Sequence, residues 1–124
     1  MTYLIVFLGG GLGSALRHGV NLVAARLLGI GFPYGTLTVN VVGSLVMGLL
    51  GGYFAFRGDA SQHWRLFLTT GILGGFTTFS TFSLDCFLLW ERHQLLSLAA
   101  YLLGSLVLSI GAVGAGVFVV RQLG

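Results

Sequence analysis

Four hydrophobic stretches, about Thr2 to Leu28, Tyr34 to Phe56, Leu66 to Trp90 and Leu95 to Val120, take up nearly all of a 124-residue chain. Each is long enough to cross a bilayer, whose hydrocarbon core needs about 20 mostly apolar residues in a helix. The expected architecture is all-α, with four transmembrane helices in one membrane domain spanning residues 1–124. The connections, Gly29-Ile30-Gly31-Phe32-Pro33, Arg57 to Arg65 and Glu91-Arg92-His93-Gln94, read as short turns between antiparallel neighbours. Composition agrees: 7% of residues are charged, against about 25% in soluble domains. Arg17, the first charge, follows the apolar run Tyr3 to Leu16 instead of preceding it. That is the wrong order for a cleavable signal peptide, so a retained first helix is expected.

Several function classes drop out. Cys86 is the single cysteine, which leaves neither an intramolecular disulfide nor a cysteine metal cluster. The net charge of +3 is scattered along the chain, whereas nucleic-acid binding requires a basic stripe. There is no nucleophile–base pair, metal-ligand cluster or phosphate loop, so the chain does not read as an enzyme. With both termini on one side of the membrane, that side holds Arg57, Arg65 and Arg121 and the other holds Arg26 and Arg92. So slight a bias permits insertion in both orientations, and hence an antiparallel homodimer.

Helices in lipid associate through close contact and polar bonds, and small residues mark the contact faces. Gly9 with Gly13, Ser44 with Gly48 and Gly52, and Gly104 with Gly111 are the expected faces. Polar side chains at membrane depth are costly and point to function. Arg17 beside His18 either snorkels to the aqueous end of the first helix or lines a water-filled vestibule. Asn40, in Gly35-Thr36-Leu37-Thr38-Val39-Asn40, has a side-chain NH2 suited either to an anion or to a bond across to another helix. Gly43 and Ser44 lie on the same face.

The densest polar signal is Thr77-Thr78-Phe79-Ser80-Thr81-Phe82-Ser83, where five of seven residues carry hydroxyls just after Gly71, Gly74 and Gly75. Glycine and hydroxyl residues weaken a helix. A broken third helix is expected, with freed carbonyls near Gly74 and Thr77 that suit a hard cation such as Na+. Phe79 and Phe82, three apart, either pack in the core or turn their positive ring edges to an anion. Tyr101, Ser105 and Ser109 set three hydroxyls in a stripe on the last helix, as a polar track or as bonds back to the helix's own carbonyls. Asp85 either pairs with Arg17 or another arginine or reaches the interface.

Gly13-Ser14-Ala15-Leu16-Arg17, Gly35 to Asn40, and Gly74-Gly75-Phe76-Thr77-Thr78-Phe79-Ser80-Thr81-Phe82-Ser83 together resemble the motifs of the small fluoride channels called CrcB or Fluc proteins. The resemblance covers nearly the whole chain. It implies an antiparallel, dual-topology homodimer in the cell (inner) membrane, with two pores that passively export fluoride and lower its toxicity. It implies a fluoride path through Asn40, Phe79, Ser80, Thr81, Phe82, Tyr101, Ser105 and Ser109. It also implies a structural Na+ at the dimer axis, held by the backbone carbonyls of Gly74 and Thr77. The next hydroxyl step of the track falls on Val113, which shortens it, and some relatives carry Glu where Asp85 stands. The alternative is a proton-coupled drug or cation exporter of the four-helix dimer type, which would depend on Asp85 as its intramembrane acid.

Overall fold

A computed structural model describes residues 1–57 and 62–123. Helix α1 covers Thr2–Leu28 and α2 covers Tyr34–Arg57. Element α3 is continuous but composite: α-helical over Gln62–Leu66, π-helical over Phe67–Leu73 and α-helical again over Gly74–Phe76. After Thr77 to Phe79, α4 runs over Ser80–Glu91 and α5 over Leu95–Leu123. The described residues are helices and their connections, without strands. Helix α3 begins inside the stretch read as the turn from Arg57 to Arg65. Within that turn, Gly58, Asp59, Ala60 and Ser61 lie outside the described residues.

Among the described residues, three segments are long and apolar enough to cross a membrane, namely Tyr34–Ala55, Gln62–Glu91 and Leu95–Leu123, with mean hydropathies of 1.6, 1.4 and 2.2. Helix α1 has the length, at 27 residues, but Arg17, His18, Asn21 and Arg26 lower its apolarity.

The turns are set by local backbone chemistry. Helix α1 stops at Gly29, whose φ of 84° suits a residue without a Cβ, and its N–H closes onto Ala25 O at 3.1 Å. Pro33 stands just before α2, and its carbonyl accepts the Leu37 N–H at 3.2 Å. Helix α4 ends in a Schellman-type arrangement: the Gln94 N–H reaches back to Leu89 O at 3.0 Å across His93, which takes a φ of 58°.

Two glycine seams organise the packing. Helix α1 lies along α3, and α2 lies along α5. In the first seam, a Cβ on Gly13 would overlap the Ile72 carbonyl oxygen, and one on Gly9 would lie 2.8 Å from Phe67 O. Gly75 is equally tight against the backbone of Gly10. In the second seam, Gly48 meets the backbone of Val113, and a Cβ on Gly116 would stand 2.6 Å from both Leu45 O and Leu49 N. Within the chain the expected face at Gly104 and Gly111 meets no neighbour, both positions looking into open space, and Gly116 makes the intrachain contact on α5. Spacing along a helix defines a face but not the neighbour that meets it.

Candidate functional site

Helical bonding stops at Thr77, whose backbone is extended at φ −86° and ψ 160°. Asn40 from α2 bridges the interruption. Its Nδ2 donates to Thr78 O at 3.0 Å, and its Oδ1 accepts the Thr78 N–H at 2.9 Å. This amide therefore does what an adjacent strand would do for an isolated peptide unit, satisfying donor and acceptor together. One of the two Nδ2 hydrogens serves this pair. Thr78 Oγ1 accepts the Thr81 N–H at 3.3 Å and lies 3.4 Å from Ser80 Oγ, so the threonine caps the first turn of α4. Upstream, Thr77 holds the end of α3, its N–H and its hydroxyl both donating to Leu73 O, at 3.0 and 2.9 Å.

Beside the interruption lies a groove of about 350 Å³ between α2, α4 and α5. Asn40, Thr78, Phe79, Phe82, Ser105 and Ser109 supply its polar and aromatic wall. No charged side chain is among its lining residues. Ser105 and Ser109 carry buried hydroxyls with no hydrogen-bond partner among the described residues. Buried hydroxyls are normally paired, and leaving one unpaired costs about 1–3 kcal/mol. Here two such hydroxyls lie one turn apart on α5, in the wall of the groove. Phe79 is 77% exposed at the mouth, while Phe82 is buried, and their ring centroids lie 5.7 Å apart.

A second groove, of about 310 Å³, opens at the Gly29 to Pro33 turn, with Asn21, Thr36, Thr81, Asp85 and Arg92 among its lining residues. The two grooves are linked by side chains. Phe82, in the wall of the first, lies 5.0 Å from the Tyr101 ring, and the Tyr101 hydroxyl donates to Asp85 Oδ2 at 3.0 Å in the wall of the second. Tyr101 is fully buried, with Phe32 edge-on at 5.6 Å. Asp85, left open in sequence between an arginine partner and the interface, accepts this bond from the Tyr101 phenol, with Arg92 in the same groove lining.

The family described as CrcB-like protein, Camphor Resistance (CrcB), matches residues 4–117. The chain belongs to the CrcB family. It is 64% identical over 124 residues to a Methylobacterium nodulans protein named fluoride-specific ion channel FluC, covering 100% of this chain and 99% of the relative. It is 59% identical over 123 residues to a protein of the same name from Rhodopseudomonas palustris strain BisB5, covering 99% of each. A Nitrobacter hamburgensis protein named fluoride-specific ion channel FluC 2 is 56% identical over 123 residues, again covering 99% of each.

Within this CrcB-family, multi-pass membrane chain, the residues singled out from sequence are spread over several places, with Thr77 in the lining of the first groove. Asn40, Phe79, Phe82, Ser105 and Ser109 share the first groove. Thr81 faces the second, and Tyr101 stands in the link between them. Ser80 is exposed at the start of α4, and Arg17 is half-buried on α1, outside both linings. Gly74 lines a separate open groove with Met47, Gly51, Phe54, Arg65 and Thr69. Thr78 carries the most bonds at the interruption, and sequence reasoning gave it no individual role. Its signal was present in the hydroxyl-rich run, but spacing does not reveal which threonine Asn40 meets.

Proposed function

We propose that this protein is a fluoride-selective ion channel, giving passive export across the cell membrane, and not an enzyme. The observation that carries the reading is the uncharged groove, where an amide, two unpartnered serine hydroxyls and two phenylalanine rings face the same space. Fluoride is small and strongly hydrated, so a selective path must replace its water with closely placed donors. Conduction also requires release, and neutral donors bind an anion without trapping it as a fixed cation would. The path runs along Asn40, Phe79, Phe82, Ser105 and Ser109, with Ser80, Thr81 and Tyr101 continuing it toward the second groove and Arg17 acting at a vestibule. The family relatives named as fluoride-specific channels support the choice of ion.

In the same reading all four hydrophobic helices span the membrane, the third as a broken helix, and the working unit is an antiparallel, dual-topology homodimer. Support comes from the surfaces left open in the single chain: Phe79 at the groove mouth, the bare positions Gly104 and Gly111 on α5, and the groove beside Gly74. A structural Na+ fits the backbone at the interruption. The amide four residues beyond Gly74 belongs to Thr78 and donates to Asn40 Oδ1. The amide four beyond Thr77 belongs to Thr81 and donates to Thr78 Oγ1. Both carbonyls have thus lost the helical donor they would otherwise hold. Bound there, Na+ would supply a positive charge that ties the broken helices together.

The test is fluoride efflux from proteoliposomes, read with a fluoride electrode beside a chloride assay, for wild type and Phe82→Ile. Rapid efflux of fluoride but not chloride, lost in Phe82→Ile, is expected. Folded protein that moves no fluoride overturns the reading.

A further inference from the structure

We propose that Thr78 is a positioning residue for the cation site: its hydroxyl draws the Thr81 N–H away from the Thr77 carbonyl, while Asn40 holds its own N–H away from the Gly74 carbonyl. The inference rests on the reading of those carbonyls as Na+ ligands.

In an unbroken helix the Thr78 N–H would close onto Gly74 O and the Thr81 N–H onto Thr77 O. Here neither bond is made, and Thr78 takes part in both diversions. Its own N–H is held by Asn40 Oδ1 at 2.9 Å, and its hydroxyl oxygen takes the Thr81 N–H at 3.3 Å. Its carbonyl accepts from Asn40 Nδ2 at 3.0 Å, which fixes the peptide orientation that makes the first diversion possible. The neighbouring acceptors are engaged differently: Leu73 O takes the Thr77 N–H and hydroxyl, and Gly75 O lies 3.5 Å from the Ser14 hydroxyl. A carbonyl released from its helical donor has lone pairs for a hard cation, whereas one still inside a helical bond competes poorly for it.

Substitution separates the two diversions. T78V keeps the shape of the side chain but removes the acceptor, so the Thr81 N–H returns to Thr77 O. T78S keeps the acceptor. N40A leaves the Thr78 side chain intact and lets the Thr78 N–H return to Gly74 O. Each loss sets one hydrogen bond against the ion, a penalty of about five- to tenfold in Na+ affinity.

The experiment is thermal unfolding of the purified full chain in detergent across a NaCl series, with N-methylglucamine chloride holding ionic strength constant. The wild-type midpoint is expected to stay flat well below the Na+ dissociation constant and then climb with the logarithm of Na+ concentration, and the concentration at which it turns upward marks half-saturation of the folded protein. T78S should keep the wild-type half-saturating concentration, and T78V and N40A should raise it by about five- to tenfold. Simple destabilisation lowers the midpoint at every Na+ concentration without moving half-saturation, so it cannot mimic this result. N40A carries the test if T78V does not fold. A Na+-responsive wild type whose T78V and N40A variants keep the same half-saturation overturns the role of Thr78 while leaving the cation reading intact. A wild type indifferent to Na+ overturns the cation reading and this inference with it.

Discussion

Removing the Ser105 hydroxyl should stabilise the ligand-free protein and slow fluoride, two effects of opposite sign from one atom. Ser105 is 6% exposed, and its Oγ has no partner among the described residues. An unpaired buried hydroxyl costs about 1–3 kcal/mol. Ser105→Ala removes that cost and leaves a gap of only one oxygen beside an existing groove, so a net stabilisation of about 1 kcal/mol is expected. On the proposed path the same hydroxyl would give fluoride a charge-assisted bond, worth about 1.5–3 kcal/mol, which corresponds to roughly tenfold to a hundredfold in rate. Ser109, one turn further along α5 and equally unpartnered, should behave in the same way. The assay pairs chemical or thermal denaturation in detergent with electrode-read efflux from liposomes, for Ser105→Ala, Ser109→Ala and the double variant. A stabilised protein with slowed fluoride meets the expectation. Unchanged efflux in the double variant would refute the argument, because it would make these hydroxyls spectators in a packed helix. A clear loss of stability would refute it from the other side, by showing that the hydroxyls are satisfied in the resting protein.

Gly13→Ala should separate α1 from α3, since its Cβ would overlap Ile72 O and sit 2.9 Å from the Phe76 amide nitrogen. A destabilisation of about 1–3 kcal/mol or more is expected, while Gly19→Ala on the same helix meets nothing within 4 Å and should be neutral or slightly stabilising. Thermal midpoints of the two variants check this contrast. Tyr101→Phe keeps the ring against Phe82 at 5.0 Å but removes the donor to Asp85. It should cost about 1–3 kcal/mol through the unpaired carboxylate and slow fluoride passage, and the companion Asp85→Asn, which still accepts from the phenol, should lose less stability. Denaturation and efflux measured on both variants decide it.

The sequence reads most clearly where the physics is local. Hydrophobic runs mark α2, the α3–α4 segment and α5, because lipid leaves backbone polar groups few alternatives to internal bonding. The run from Thr77 to Ser83 marks weakened helix, because hydroxyls compete for backbone groups. Whatever depends on which elements meet is silent in one chain of letters. Nothing in Asn40 points to Thr78, 38 residues away, and nothing in Asp85 prefers Tyr101 to an arginine. The π-helical stretch Phe67–Leu73 has no compositional mark of its own. It lies against α1, with Gly9 beside Phe67 O and Gly71 and Gly13 tighter still against Ile72 O, a contact that the letters of the segment do not announce. Gly104, Gly111 and Gly116 look alike as small residues on α5, and the structure alone separates the one that touches α2 from the two that face outward.

Asn40 shows why the two ion readings are bound to one another. Its amide has one N–H committed to Thr78 O and its oxygen committed to the Thr78 N–H, which leaves its second N–H unused by that pair on a side chain already fixed in place beside the groove. A preorganised donor spends little rotamer entropy when an anion arrives, and that favours a small ion whose dehydration is costly. The same two bonds hold Thr78 out of helical register and keep its N–H from Gly74 O. A substitution that loosens Asn40 therefore acts on the anion path through donor geometry and on the backbone carbonyls through helix closure. The two effects have different signatures: lost anion passage at any Na+ concentration for the first, and a shifted Na+ response for the second. Asn40→Ser, which retains a hydroxyl donor but is too short to span to Thr78, should produce the second effect more strongly than the first.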